Sequence, residues 1–490
     1  MVERKLMGNS TISVRHRTGV VAGLFCAAFV AHAAVAIPSR SSDTVQPEAV
    51  PAAQPPATRK QQVESFVQPL IKAQIAPGVV VGVFEKGKTE YFGFGAFSAT
   101  DARTPDEHTL FEIGSITKVF TAMLLADAAE RGVCTLNDPL EKWLPQGVKA
   151  PERGDKKITL EQLAMHVSGL PRLPTNFKTA ADADPYATYH SSDLWEFLGS
   201  YTLTRDPGAK YEYSNLGAGL LGCILASASG SSYETMVARR ITGPLGMNDT
   251  VVTLSPDQQS RFAPPHREGV AGHTWTFDAL AGAGAIRSTA ADLMKFAVAT
   301  LHPDKSPFPK TIEATLVKRP VSGGPVPMMG LGWHYAGDKS TALHTGQTGG
   351  YSSALFLAPS IDAAVIVLAN GADSSIDATA EKLIQVLYGM NVKPAELAAP
   401  IAIDESQAAL LSGTYVFGSG PTLTITNEGN VVRAKLTGQD AYRIYPSSPM
   451  RFFYRIVPAE LEFSEPDAQG RPSKAILHQN GGKLPFVRTP

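Results

Sequence analysis

A serine followed three residues later by a lysine has the makings of a nucleophile and its base. Ser115 and Lys118 stand so in Phe111-Glu112-Ile113-Gly114-Ser115-Ile116-Thr117-Lys118-Val119-Phe120. At that spacing on a helix the two side chains are neighbours on one face. A lysine in a helix's first turn meets the positive end of the dipole. The run Val119–Ala129, apolar nearly all round, would also bury it. A buried lysine loses basicity and can accept the proton of a serine hydroxyl, otherwise a poor nucleophile. The same residues also suit an N-cap serine and a lysine snorkelling to solvent. A chain of 490 residues should hold about one such pair by chance, and this is the only one.

Two further segments carry polar groups in settings that suit a cleft. Tyr213 and Asn215, in Tyr211-Glu212-Tyr213-Ser214-Asn215-Leu216-Gly217, lie two apart before the apolar run Leu220–Ala228. In an extended segment both point the same way. A phenol near a lysine is expected to have a lowered pKa and to pass the serine's proton to a leaving group. The asparagine amide is expected to hold the lysine and a substrate carbonyl. The third segment is Leu343-His344-Thr345-Gly346-Gln347-Thr348-Gly349-Gly350-Tyr351. A strand that runs into glycine lets a substrate lie beside it as an added strand. The Gln347 and Ser115 backbone N–H groups would then form a two-donor oxyanion hole. Read singly, the second segment also suits a turn before a helix and the third a glycine-rich turn at a sheet edge.

Strand-like runs at Val79–Phe84 and Thr89–Phe97, joined through Glu85-Lys86-Gly87-Lys88, predict a hairpin after an amphipathic helix at 60–74. Residues from about 135 to 330 read as helices broken by Pro- and Gly-rich loops. Strand character returns near 343–344, 353–357 and 363–369, before a helix at 375–388. One α/β sheet completed by both ends, with an all-helical lobe between, fits this order. Residues 391–408 read as an Ala/Pro-rich linker. Beyond, short strand-like runs at 413–417, 423–427, 431–436, 442–445, 451–456, 460–463 and 474–478 predict a small all-β sandwich or barrel over 409–490.

Taken in order, S-x-x-K, Y-x-N and H-T-G resemble the serine β-lactamase and penicillin-binding-protein superfamily, in its class C β-lactamase and DD-peptidase branch. Leu163-Ala164-Met165-His166-Val167-Ser168-Gly169-Leu170-Pro171 and Pro207-Gly208 are similar too, and the resemblance covers roughly residues 60–390. It implies an antiparallel sheet flanked by helices plus a helical lobe, in a hydrolase domain at 59–390. The tail resembles a small β-domain often appended to such hydrolases. Ser115, Lys118 and Tyr213 would be catalytic; Asn215, His344, Thr345, Gly346 and Gln347 would bind substrate. The expected substrates are β-lactams or D-alanyl peptides of the cell wall. A carboxylesterase, or a penicillin-binding sensor without turnover, is the alternative. His344 stands where class C enzymes carry lysine, and a histidine should grip a substrate carboxylate less firmly at neutral pH. Val167 stands in place of threonine, and His166 reads as a packed loop histidine.

Composition narrows the partners. Hydrophobic residues make up 43%, charged residues 18%, and the net charge is -1, with no basic run in the body of the chain. That pattern is globular and argues against nucleic acid. Residues 1–36, with Arg15, Arg17, the apolar Gly19–Val30 and two A-x-A triplets, read as a cleaved signal peptide, and 37–58 as a flexible spacer. A periplasmic or secreted protein is expected, with no stable membrane span. An uncleaved anchor is the alternative. Cys134 and Cys223 lie in helical-looking segments and read as small buried residues rather than a disulfide. No zinc-ligand spacing occurs, so neither metal nor cofactor is implied.

Overall fold

The structure is a computed structural model that describes residues 58–177, 184–338 and 340–489. The segments read as signal peptide and spacer fall outside these, apart from Thr58. Thr58 caps α1 (Arg59–Lys72), exchanging hydrogen bonds with Gln61 in a capping box. Val63, Phe66, Val67 and Leu70 form its buried stripe.

The hairpin is present as β1 (Gly78–Glu85) and β2 (Lys88–Gly95), paired antiparallel. Its two-residue turn takes positive φ at Lys86 and Gly87, the geometry that matches strand twist. These strands extend a sheet with β3 (Arg319–Pro320), β4 (Met328–Met329), β5 (His334–Tyr335), β6 (Ala342–Gln347), β7 (Ser352–Ala358) and β8 (Ala363–Ala369). The order is β2-β1-β8-β7-β6-β5-β4-β3, antiparallel throughout. Strands β1, β7 and β8 are buried on both faces, which explains their unbroken apolar runs. Val79, Val81 and Val83 pack with Phe66, Ile376 and Leu383, while Val80 and Phe84 join the core shared with the helical lobe.

The lobe is mainly helical rather than all-helical. Two-residue ribbons pair Phe111–Glu112 with Arg287–Ser288, Glu152–Arg153 with Lys156–Lys157, and His266–Arg267 with Val270–Ala271. Strands β3 and β4 likewise come from the stretch that reads as helix and loop, and β5 from just beyond it, because two residues offer no alternation to read.

The tail is a closed eight-stranded antiparallel barrel, closing where Tyr415 and Val416 meet Arg488 and Val487. Its eighth strand, Gly482–Arg488, lies beyond the last strand-like run of the sequence. A short helix, Glu405–Leu411, begins within the segment that reads as linker and places Ala408 and Leu411 in the barrel core. Arg433 pairs with Glu268 at 2.9 Å, Arg443 donates to the Glu268 carbonyl and Arg455 to that of Ala73, tying the barrel to the hydrolase domain. Cys134 and Cys223 are both free thiols, Cys134 lying just past a helix rather than in it.

Candidate active site

Ser115 sits in a tight 3-10 turn, Gly114–Ile116, that leads directly into α2 (Thr117–Glu130), a helix buried on nearly every side. The turn is fixed from below. Ile113 N–H donates to Ile286 O at 3.0 Å, and Ser353 Oγ donates to Ile113 O at 2.8 Å. Gly114 takes φ +46, and a Cβ there would stand 2.9 Å from the Gln347 nitrogen. A Cβ on Gly346 would stand 2.1 Å from Ile113 O and 2.9 Å from the Ser115 nitrogen. Glycine at both positions brings the end of β6 against the serine turn, backbone to backbone.

Lys118 is 2% exposed. Its Nζ lies 2.9 Å from Ser115 Oγ and donates to Ala283 O at 2.7 Å. That carbonyl belongs to the short helix Ala281–Gly284, which can approach because Gly222 leaves no side chain against Gly282. Desolvation holds the amine well below its usual basicity, and the positive charge of Arg172 adds to the effect.

Tyr213 hydrogen-bonds with Ser115 and lies beside the lysine, its ring centre 4.8 Å from Nζ. Its pKa moves opposite to the expectation from sequence. Burial raises it and outweighs the lowering by Ser115 and Arg172, so the side chain is a phenol, not a phenolate. Asn215 caps no lysine in this arrangement: its Nδ2 donates to Tyr186 Oη at 2.8 Å. Its Oδ1 is buried without a hydrogen-bond partner, an acceptor available to a substrate N–H.

His344 is 2% exposed, and its Nδ1 pairs with the Thr345 carbonyl at 2.7 Å, which assigns the proton to that nitrogen. Desolvation, His334 and Lys118 hold its pKa well below the usual value, so it presents no charge at neutral pH. His166 is packed as its sequence context predicts. Its Nδ1 accepts from Ser214 N–H at 3.1 Å and its ring lies 4.4 Å from that of Tyr213. A third histidine, His334, meets Tyr211 Oη at 2.9 Å, and burial lowers its pKa to about 4. Together these rings form an uncharged wall behind Tyr213.

On the other face of β6, Thr345 is half-buried and hydrogen-bonded to Asp377, in the first turn of α3 (Ser375–Leu387). Burial, with Asp373 nearby, raises the Asp377 carboxyl to about 8. Strand β5 pairs with Ala342 and Leu343 only, so β6 has no partner strand along His344–Gln347 on that edge. The structure thus gathers Ser115, Lys118, Tyr213, Asn215, His344, Gly346 and Gln347 around one cleft, with Arg172 and Tyr186 beside them, while Thr345 and Asp377 lie on the other face of β6. Of Arg172, Tyr186 and Asp377, only Arg172 has a sequence signal, directly after the Leu163–Pro171 stretch. Among the described residues no cluster suits a metal ion.

A half-buried serine on a buried lysine, between a helix-flanked antiparallel sheet and a helical lobe, defines a serine hydrolase with the β-lactamase fold. The family model described as Beta-lactamase matches residues 63–388, and the chain belongs to that family. It is 31% identical to the D-alanyl-D-alanine-carboxypeptidase/endopeptidase AmpH of Escherichia coli over 65% of this chain and 87% of that protein. A penicillin-binding protein of Bacillus subtilis is 27% identical over 81% of this chain and 92% of its own length. The solved β-lactamase/D-alanine carboxypeptidase of Yersinia pestis superposes with a TM-score of 0.61. It is 26% identical and covers 67% of this chain and 98% of that one. The protein is accordingly an enzyme, a serine hydrolase of the β-lactamase and DD-peptidase type.

Proposed function

We propose that the enzyme hydrolyses β-lactams or D-alanyl peptides through an acyl-enzyme on Ser115, and that it does so after export. The observation that carries the reading is the 2.9 Å approach of a desolvated Lys118 amine to Ser115 Oγ. The neutral amine takes the serine proton as Oγ adds to the substrate carbonyl. The developing oxyanion lies between the Ser115 and Gln347 N–H groups, which the two glycines bring together. Tyr213, a phenol bonded to the serine, relays the proton to the leaving nitrogen as the C–N bond breaks. Water then attacks the serine ester by the reverse path and regenerates Ser115. The names of the relatives, a D-alanyl-D-alanine carboxypeptidase/endopeptidase and a penicillin-binding protein, support this substrate class.

Intact-mass spectrometry of purified protein mixed with a penicillin, a cephalosporin and a D-alanyl-D-alanine peptide tests the reading. An acyl adduct on Ser115 that Ser115→Ala eliminates is expected; no adduct and no turnover would sink it. Adduct lifetime separates a β-lactamase from a peptidase. Cleavage after Ala33 or Ala36, read by N-terminal sequencing of the exported protein, tests the signal peptide. The uncharged His344 favours one second reading, a carboxylesterase, for which short-chain esters are the diagnostic substrates.

A further inference from the structure

One buried carboxylate lies behind the serine turn without touching the nucleophile or its base. Glu112 is 3% exposed, stands three residues before Ser115 and pairs with Arg287 across a two-residue ribbon. Its Oε1 accepts from the Trp275 N–H at 2.9 Å and from Arg287 Nη2 at 3.2 Å. Arg287 also donates to the Trp275 carbonyl at 3.0 Å and to that of Val252. Burial raises the Glu112 carboxyl to about 7 against the pull of Arg287, so the ion pair only partly offsets the desolvation of its members. Such a pair adds little to stability; what it does here is fix where the carboxyl points.

It points to the end of β6. The Thr348 hydroxyl is buried beside the carboxyl and acts on it as a hydrogen-bonding neighbour. Among the described residues, neither Glu112 Oε2 nor Thr348 Oγ1 has a partner elsewhere, so each is left for the other. Thr348 directly follows Gln347, whose N–H is one of the two expected oxyanion donors, and Glu112 leads into the turn that bears the second, at Ser115. The loop whose Trp275 N–H holds the carboxyl also packs against the turn after β6. A Cβ on Gly349 would stand 2.5 Å from His273 O and 2.6 Å from Trp275 Nε1. The strand before the serine and the turn after Gln347 are thus joined through one side chain, in addition to their backbone contact.

We propose that Glu112 is a positioning residue for the oxyanion hole: through the Thr348 hydroxyl it holds the Gln347 N–H against the serine turn, so that its loss slows acylation without weakening the first, noncovalent binding of substrate. The assignment rests on Ser115 acylation as proposed above. Glu112 touches no reacting atom, and the bonds made and broken are unchanged.

Two readouts test it. Stopped-flow acylation by a chromogenic cephalosporin separates the acylation rate constant from the dissociation constant of the noncovalent complex. Phenylboronic acid, whose boron adds Ser115 Oγ to form a tetrahedral anion as the proton passes to Lys118, reads the hole with no leaving group involved. Glu112→Ala and Thr348→Val should each slow acylation and weaken the boronic acid about tenfold or more, a fraction of the loss from deleting an oxyanion donor outright. The noncovalent dissociation constant should stay within about twofold of wild type, because binding precedes the oxyanion. Glu112→Gln, which keeps an acceptor for Thr348, should recover part of the rate. The double variant Glu112→Ala/Thr348→Val should be little worse than the worse single one, since the two side chains act as a unit. A near-normal acylation rate in either single variant overturns the proposal. So does a loss confined to noncovalent binding, or losses that multiply in the double variant. If Glu112→Ala does not fold, Thr348→Val decides alone by the same criteria. If wild-type Ser115 takes up neither a β-lactam nor the boronic acid, the acyl-enzyme reading itself falls and takes this assignment with it. Acylation of wild type with unchanged rates in the variants overturns the Glu112 assignment alone.

Discussion

Lys118 carries a cost that its position makes measurable. Unfolded, it binds a proton up to the ordinary lysine pKa of 10.5; folded, burial holds it well below that. Between those two values the unfolded chain binds the extra proton, so the lysine's contribution to stability rises with pH, and below both it is a constant penalty. Lys118→Met should therefore raise the melting temperature by a few degrees at neutral pH, on the order of 1–2 kcal/mol. The gain should shrink as pH approaches 10.5. Thermal scans from pH 6 to 10 check this, and a destabilised variant would refute the account. Lys118→Ala should slow acylation about a hundredfold or more, and a loss below about tenfold would remove the lysine as base. His344, neutral and buried, should leave the affinity for an anionic substrate unaffected by its own titration from pH 5 to 8. Comparing the pH profile of KM in wild type and His344→Gln tests this.

Much of this chemistry is legible in the sequence because it is concentrated in three short segments. Ser115, Tyr213 and Gln347 can be named without knowing how the segments meet. What the residues cannot convey singly is burial. The Tyr213 phenol is raised rather than lowered because burial in the surrounding core outweighs the Ser115 hydrogen bond and the Arg172 charge. Asn215 pairs with Tyr186, a partner 29 residues away with no motif of its own.

At the scale of elements, the site depends on two backbones touching where side chains would keep them apart. Gly346→Ala would place a methyl group 2.1 Å from Ile113 O, so β6 must move off the serine turn. Acylation should fall about a hundredfold or more, the scale of losing one oxyanion donor. Stopped-flow measurement of acylation by a chromogenic cephalosporin checks this, and a near-normal rate would mean that the Gln347 amide is not a donor. Long elements such as β1, α2 and β8 are plain in the sequence, since both faces are covered and the apolar runs are continuous. The eighth barrel strand escapes notice because Lys483 and Pro485 break its pattern, Pro485 sitting opposite Ile476 where a proline is poorly placed to pair. Arginines that join distant loops, such as Arg287 on Glu112 at 3.2 Å, leave no periodic trace at all.

At the scale of the molecule, the barrel grips the His266–Ala271 ribbon, whose His266 N–H in turn donates to Gly350 O in the turn after β6. The join is mainly polar: Arg433 on the Glu268 side chain, Arg443 on its carbonyl and Arg455 stacked on Tyr445. Glu268→Ala removes one half-exposed ion pair, of order 1 kcal/mol or less. It should speed limited proteolysis in the irregular stretch 391–404 about three- to fivefold while the fold of each part persists. Unchanged cleavage would mean that the ion pair does not hold the barrel in place.

The unpaired length of β6 has a consequence for how the protein survives at high concentration. A bare strand edge is a template on which other chains can assemble into fibres. Here that edge lies inside the cleft, between the serine turn and the wall of histidines, and is four residues long. A single extended chain can thread in beside it; a second sheet cannot. The lobe thus shields the one stretch of β6 that has no partner strand, and a variant without it would be expected to aggregate more readily.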